Sequence, residues 1–158
     1  MTVCIERLAD RPDCIETLAE WALAEWPESM RHSLRDAALN FAARANVDRL
    51  PLGLVALECE LPVGMATLAL DRPPQELGWE TAFVPCLAGL YVVPAWRKKG
   101  IGSALCDYVA GEALRLGFQE IHLYTVDAAE FYRARGWCRL LEAHHAHPAF
   151  LQRELVQR

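Results

Sequence analysis

Val92-Val93-Pro94-Ala95-Trp96-Arg97-Lys98-Lys99-Gly100-Ile101-Gly102-Ser103-Ala104-Leu105 carries the chain from a strand into a helix. Ahead of it, Cys86-Leu-Ala-Gly-Leu-Tyr-Val-Val93 is an unbroken apolar run of strand length, stopped by Pro94, which cannot continue a ladder. Beyond it, Ile101, Leu105, Val109, Ala113 and Leu116 fall on one face of a helix. The connection Arg97-Lys98-Lys99-Gly100-Ile101-Gly102 has the form R-x-x-G-x-G. Its glycines permit a tight backbone, and the free N–H groups of the helix start, with the helix dipole, favour an anion. A pyrophosphate cradle is the chemistry that fits. No Gly-Lys-Ser/Thr follows, so it is not a P-loop, and the first glycine of a dinucleotide fingerprint is missing.

Working outward, Gly117 closes the helix and Ile121–Thr125 reads as a second strand, joined to the first by a crossover long enough for parallel pairing. Asp127 and Glu130 are spaced like a capping box at the start of a short helix running through Tyr132 to Gly136. Trp137–Leu141 and Ala149–Val156 read as a final antiparallel pair. Toward the N-terminus, Val3, Ile5 and Leu8 mark a strand, and Asp13 precedes a helix carrying Ile15, Leu18, Ala19, Ala22 and Leu23. After Trp26 and Pro27, Ser29 is the expected cap of a second helix with Leu34, Ala37, Ala38, Phe41 and Ala45, ending near Asn46. Leu52–Cys59 and Val63–Leu70 form a hairpin by spacing, joined by Glu60-Leu61-Pro62, whose composition does not suggest a type I′ turn. Asp71 to Glu80, with Pro73, Pro74 and Gly78, reads as an exposed loop.

Composition limits the alternatives. At 158 residues, 53% hydrophobic and 23% charged, the chain suits one globular domain spanning 1–158. The balance of 16 Lys and Arg against 21 Asp and Glu, a net charge of −5, gives no support to nucleic-acid binding. Glu6 and Arg7 interrupt any secretory signal. Glu58, Glu60, Pro51 and Pro62 break the most apolar region well short of the roughly 20 residues of a membrane span. A cytoplasmic protein without membrane partners is expected. The cysteines Cys4, Cys14, Cys59, Cys86, Cys106 and Cys138 contain no C-x-x-C pair and read as buried free thiols.

Val92-x-Pro94-x-x-Arg97-x-x-Gly100-x-Gly102-x-x-Leu105 resembles the acetyl-CoA-binding signature of the GNAT superfamily of N-acetyltransferases. Ala128-x-x-Phe131-Tyr132-x-x-x-Gly136-Trp137 resembles its second signature. The resemblance covers essentially the whole chain, since the element order βααβββαβαββ also matches. It implies an α/β fold, a mixed central sheet of about six to seven strands flanked by four helices, and acetyl-CoA as cosubstrate. It further implies that Lys98, Lys99, Gly100, Ile101, Gly102 and Ser103, following Arg97, hold the CoA pyrophosphate, and that Leu90, Tyr91 and Val92 pair with the pantetheine arm. Tyr132 would be the general acid that protonates the departing thiolate, with Phe131 beside it a core residue. The acceptor would be the primary amine of a small molecule or peptide, attacked directly in a ternary complex, and a homodimer would fit.

Two positions depart from the family pattern. Cys86 stands where relatives carry a glutamate base, and Thr125 stands where an Asn commonly contacts the CoA arm. Glu25, Glu28, Asp71, Glu80, His144 and His145 are the remaining candidates near acceptor-shaping segments, or a water chain serves as base. The four carboxylates together suggest a cationic acceptor, with turnover rising as the free amine is populated and no carboxylate limb near pH 4–5. A histidine base would instead give a limb near 6.5. His144-His145-Ala146-His147 lacks a nearby acidic or cysteine ligand, so no metal is expected. Cys86 as a nucleophile is disfavoured for an apolar strand position. The five tryptophans read as core or rim packing. Loss of the usual base leaves one alternative, a non-catalytic acyl-CoA-binding sensor, against which Tyr132 argues.

Overall fold

The structure is a computed structural model that describes residues 2–71, 83–140 and 148–155, with the backbone alone at 71, 83 and 84. In chain order the elements are β1 (Val3–Arg7), α1 (Ile15–Glu25), α2 (Leu34–Ala42), β2 (Leu52–Glu58), β3 (Leu61–Asp71) and β4 (Phe83–Val92). They continue as α3 (Ile101–Arg115), β5 (Glu120–Thr125), α4 (Ala129–Arg133), β6 (Cys138–Arg139) and β7 (Ala149–Glu154). Among the described residues seven strands form one sheet in the order β1-β2-β3-β4-β5-β7-β6. The β4–β5 pair is parallel and the other pairs are antiparallel. The expected mixed α/β fold and element order are therefore present.

Both faces of the sheet are covered, and the period-two alternation of β2 displays this. Leu52, Leu54 and Ala56 join Leu105, Val109 and Ala113 of α3 in one core, while Val55 and Leu57 join Leu18 and Ala22 of α1 and Phe41 of α2 in another. Gly117, with φ of +93°, ends α3 in a Schellman arrangement: its N–H donates to Leu114 O at 3.0 Å and the Phe118 N–H donates to Ala113 O at 3.0 Å.

Local chemistry differs from expectation at several joints. Ser33, not Ser29, caps α2, its Oγ accepting the Asp36 N–H at 3.2 Å, and the helix stops at Ala42, short of Asn46. The 27–33 segment is instead turned, with Arg31 and His32 in the left-handed region. The hairpin turn is the two-residue Cys59-Glu60, both at positive φ (47° and 69°) with Glu58 opposite Leu61, the backbone signature of a type I′ turn without its usual residues. The pairing of β2 and β3 imposes that geometry on unfavourable side chains. At α4 the cap is not an Asp127–Glu130 box; Thr125 Oγ1 accepts the Ala128 N–H at 3.1 Å. The C-terminal pair is present but short, with β6 at the sheet edge and β7 between it and β5. Cys14, Cys86 and Cys106 are buried thiols, whereas Cys4, Cys59 and Cys138 are exposed, because β1, the hairpin tip and edge strand β6 leave them uncovered.

One buried carboxylate ties the sheet edge to α3. Glu112 is 5% exposed, and its oxygens accept from Arg7 Nη2 at 2.8 Å and Nε at 3.1 Å and from Arg115 Nη2 at 2.7 Å. Arg115 also donates to the Val47 carbonyl, anchoring the segment before β2. Burial pushes the Glu112 carboxyl up, but hydrogen bonds and charge from Arg7 and Arg115 outweigh it and hold the carboxyl below its ordinary value. A lowered carboxyl contributes stability above its unfolded-state pKa and loses it as the pH falls through the folded value. Glu112→Gln should therefore cost about 1–3 kcal/mol at neutral pH, read as a lower urea midpoint, with the two proteins converging in acid. A constant gap down to pH 3 would show that the charge is not what stabilises.

Candidate active site

The parallel pair opens where the chemistry is expected. β4 and β5 are in register at Cys86 and His122, but β4 runs on to Val92 and β5 to Thr125 with no further paired residues described between them. Within β4 the ladder to β3 slips between Ala88, opposite Thr67, and Tyr91, opposite Met65, so Gly89 and Leu90 bulge. Gly89 lies at φ +60°, a value that favours glycine. The bulge and the splay make a wedge whose floor is backbone.

Two cavities occupy this wedge. The first, about 650 Å³, runs along Leu90, Tyr91 and Val92 to the start of α3, where Arg97, Lys98, Gly100, Ile101, Gly102 and Ser103 line it. The second, about 560 Å³, lies beneath α1 and α2 and is lined by Trp26, Phe41, Arg44, Gly89 and Thr125 among others. They share Trp26, Leu90, Asp127, Ala128 and Tyr132, so the two spaces border one another along these residues.

The α3 end of the first groove presents cationic side chains beside the open start of a helix. Gly100 caps the helix at φ +82° and Lys98 is also left-handed at +61°, a backbone that curls N–H groups toward one point. The Ala104 N–H reaches Gly100 O at 3.0 Å, so the N–H groups of Ile101, Gly102 and Ser103 are the ones helix geometry leaves without an intrahelical acceptor. Arg97 Nε donates to Val92 O at 2.9 Å, tying the loop to the strand end, and Lys99 sits over the Trp96 ring at 4.7 Å without lining the groove.

Tyr132 is 8% exposed and packs edge-on against Phe131 and Trp137, with ring centroids at 5.1 and 5.9 Å. Burial, reinforced by the neighbouring Cys106 and Cys86 thiols, pushes its hydroxyl above the ordinary phenol value, so it keeps its proton. Phe131, expected in the core, is half-buried and lines the first groove.

The other expected residues divide between the cavities and positions outside them. Thr125 lines the second cavity, its hydroxyl engaged at the α4 cap. Cys86 lines neither cavity and is buried with Phe150 and Tyr124. Glu25 lines the first groove and Glu28 neither; the Asp71 side chain, Glu80, His144, His145 and His147 lie outside the described residues. Among the described residues no cluster of three metal-ligating side chains occurs, and no helix is long and apolar enough to cross a membrane.

Arg44 and Arg135 escaped the motif reading, and Asp127 enters it only as a helix cap. Arg135 lines the groove with its guanidinium 3.6 Å from the Phe131 centroid and Nη1 donating to Phe131 O. Its place after Tyr132, before the closing Gly136, is the one sequence signal it carries. Arg44 carries none, because the fold brings it to the wedge from a distant segment, whereas Asp127 directly precedes the Ala128–Trp137 signature.

The structure is similar to an aminoglycoside 6′-acetyltransferase type Ii, at 20% identity over 100% of this chain and 99% of that one, with a TM-score of 0.71. It is likewise similar to an aminoglycoside 6′-N-acetyltransferase complexed with coenzyme A (16%, 100% and 99%, TM-score 0.72). A third such structure is the PaiA N-acetyltransferase from Thermoplasma acidophilum in complex with coenzyme A (21%, 98% and 99%, TM-score 0.69). No curated protein sequence matches the chain. The sequence model of the acetyltransferase (GNAT) family matches residues 12–137. With the strand–loop–helix signature, the wedge in the sheet and a family match over most of its length, this chain belongs to the GNAT family of acetyltransferases and is an acyltransferase enzyme.

Proposed function

We propose that this protein transfers an acetyl group from acetyl-CoA to the primary amine of a small acceptor by direct attack in a ternary complex. The observation that carries this reading is the meeting of an anion-binding groove and a second cavity at Leu90 and Tyr132. Similar folds described with coenzyme A and as N-acetyltransferases support it.

In this reading the pyrophosphate of CoA lies on the N–H groups of Lys98 through Ser103, with Arg97 and Lys98 supplying positive charge. The pantetheine arm runs along Leu90–Val92, and the bulged backbone at Gly89–Leu90 faces the thioester with donors that are outside the ladder to β3. The amine nitrogen attacks the acetyl carbon from the second cavity, the C–S bond breaks, and the thiolate takes the proton of Tyr132. The proton lost by the amine passes to solvent or to Asp127, which borders both cavities. Position 86 carries a thiol and lines neither cavity, so no family-type carboxylate base acts there.

Incubation of the purified protein with acetyl-CoA and a panel of small amines tests this, with product followed by mass spectrometry, since exposed Cys4, Cys59 and Cys138 would react with thiol reagents. Acetylated amine is expected, with kcat/KM rising from neutral to alkaline pH as the free-amine fraction grows. Acetyl-CoA binding without product on any amine would instead mark the sensor alternative.

A further inference from the structure

Arg135 lines the cofactor groove from the far end of α4, and only part of its guanidinium is engaged. Its centre lies 3.6 Å from the Phe131 ring centroid, and Nη1 donates to Phe131 O at 2.6 Å, so one face and one nitrogen are fixed within its own turn of chain. The other edge is open. Nε is buried with no hydrogen-bond partner, and Nη2 donates to no acceptor among the described residues. Arg7, Arg11, Arg115, Arg133 and Arg153 each pair with a carboxylate, whereas Arg135 pairs with none among the described residues. Glu25 and Asp127 line the same groove without forming an ion pair with it. Arg7 shows what the Nε–Nη2 edge does when an anion is present: the two nitrogens hold the two oxygens of Glu112 at 3.1 and 2.8 Å. A buried N–H without an acceptor is costly, and in Arg135 that donor belongs to the edge suited to a bidentate contact.

The Phe131 ring sets where this edge stands. Its Cζ is the atom nearest to a Cβ added at Gly102, at 3.5 Å, so a single aromatic ring separates the guanidinium from the first turn of α3. The N–H groups of Ile101, Gly102 and Ser103 are open there, and Lys98 lines the same groove. Positive charge thus converges from two segments, one before α3 and one after α4. A ligand with charged oxygens on two neighbouring centres suits both, one centre on the N–H groups and the other on the planar fork. We infer that Arg135 is a binding residue for the cosubstrate, its Nε–Nη2 edge holding the CoA diphosphate across Phe131 from the N–H groups of α3. This rests on the proposed use of acetyl-CoA, and it adds a side-chain contact from the end of α4 to a subsite otherwise built from backbone. The bond to Phe131 O and the stacked ring orient the guanidinium before the ligand arrives, which lowers the ordering cost of a long side chain.

Calorimetric titration of CoA and 3′-dephospho-CoA into the wild-type protein, Arg135→Gln and Arg135→Lys tests the inference without any acceptor. Arg135→Gln should weaken both ligands alike, by about 10- to 100-fold. Arg135→Lys, which keeps the charge but not the fork, should lose less. Phosphorus NMR of the CoA complexes adds a local readout: either substitution should shift the diphosphate resonances and leave that of the 3′-phosphate in place. Unchanged CoA affinity in Arg135→Gln would overturn the assignment. A loss for CoA but not for 3′-dephospho-CoA would overturn it in favour of a contact to the 3′-phosphate. Weaker binding with unmoved diphosphate resonances would make Arg135 a packing residue, and a lower kcat at unchanged affinity would place its charge on the departing thiolate instead; each result overturns the diphosphate contact. Binding of CoA without transfer to any amine counts against the proposed reaction alone, whereas absence of CoA binding to the wild-type protein would overturn both. Should Arg135→Gln fail to fold, full affinity and unshifted diphosphate resonances in Arg135→Lys would still overturn the contact.

Discussion

Tyr132→Phe should lower turnover by roughly 10²–10⁴-fold while changing acetyl-CoA affinity by less than about threefold. The substitution removes one oxygen and keeps the ring that packs against Phe131 and Trp137, so the junction of the two cavities retains its shape. What disappears is the proton for the thiolate. Because burial holds the hydroxyl above the ordinary phenol value, the wild-type donor stays protonated through the neutral and mildly alkaline range. The rise of kcat/KM with pH should therefore continue without a phenolic fall below about pH 10. Stopped turnover measurements on both proteins, with calorimetry for the thioester, check this. Equal turnover would make Tyr132 a packing residue and leave thiolate departure to solvent.

The second large effect is expected at Gly102. A Cβ there would meet Phe131 Cζ at 3.5 Å and Val92 Cγ2 at 3.9 Å, ordinary contact distances, and Val is a better helix former than Gly, so Gly102→Val should fold. Its two methyl groups would, however, project into the groove over N–H groups assigned to the pyrophosphate. Acetyl-CoA binding should weaken by about 100-fold, close to 2.7 kcal/mol, with Gly102→Ala intermediate. Gly100 offers a contrast: nothing stands within 4 Å of its added Cβ, but φ is +82°, so Gly100→Ala should reduce stability through backbone strain. Unchanged affinity in a folded Gly102→Val would remove the cofactor from this loop.

Much of the molecule was legible because its signals are local. Periodicity alone separates β4 from α3, since a buried strand and an amphipathic helix repeat their apolar residues at different intervals. The Arg97–Gly102 loop is legible for a similar reason: the glycine at positive φ and the open N–H groups lie within a few residues of one another. Where tertiary pairing overrides composition, the reading faltered. Cys59-Glu60 turns as a type I′ pair because β2 and β3 demand that twist, and α2 starts at Ser33 because residues 27–33 must turn the chain back along α1.

By itself the sequence determined the order of elements, the mixed sheet and the anion loop, each set by interactions between near neighbours along the chain. Only the tertiary structure decided the acceptor side. There Trp26, Arg44, Gly89 and the Asp127–Tyr132 stretch come from four separate segments, and Cys86 is buried with Phe150 without lining either cavity. The physical reason is that a cavity is made by the splay of β4 from β5 and the packing of α1 and α2 across it. Such contacts join residues up to about a hundred positions apart, and no pattern along one chain records them.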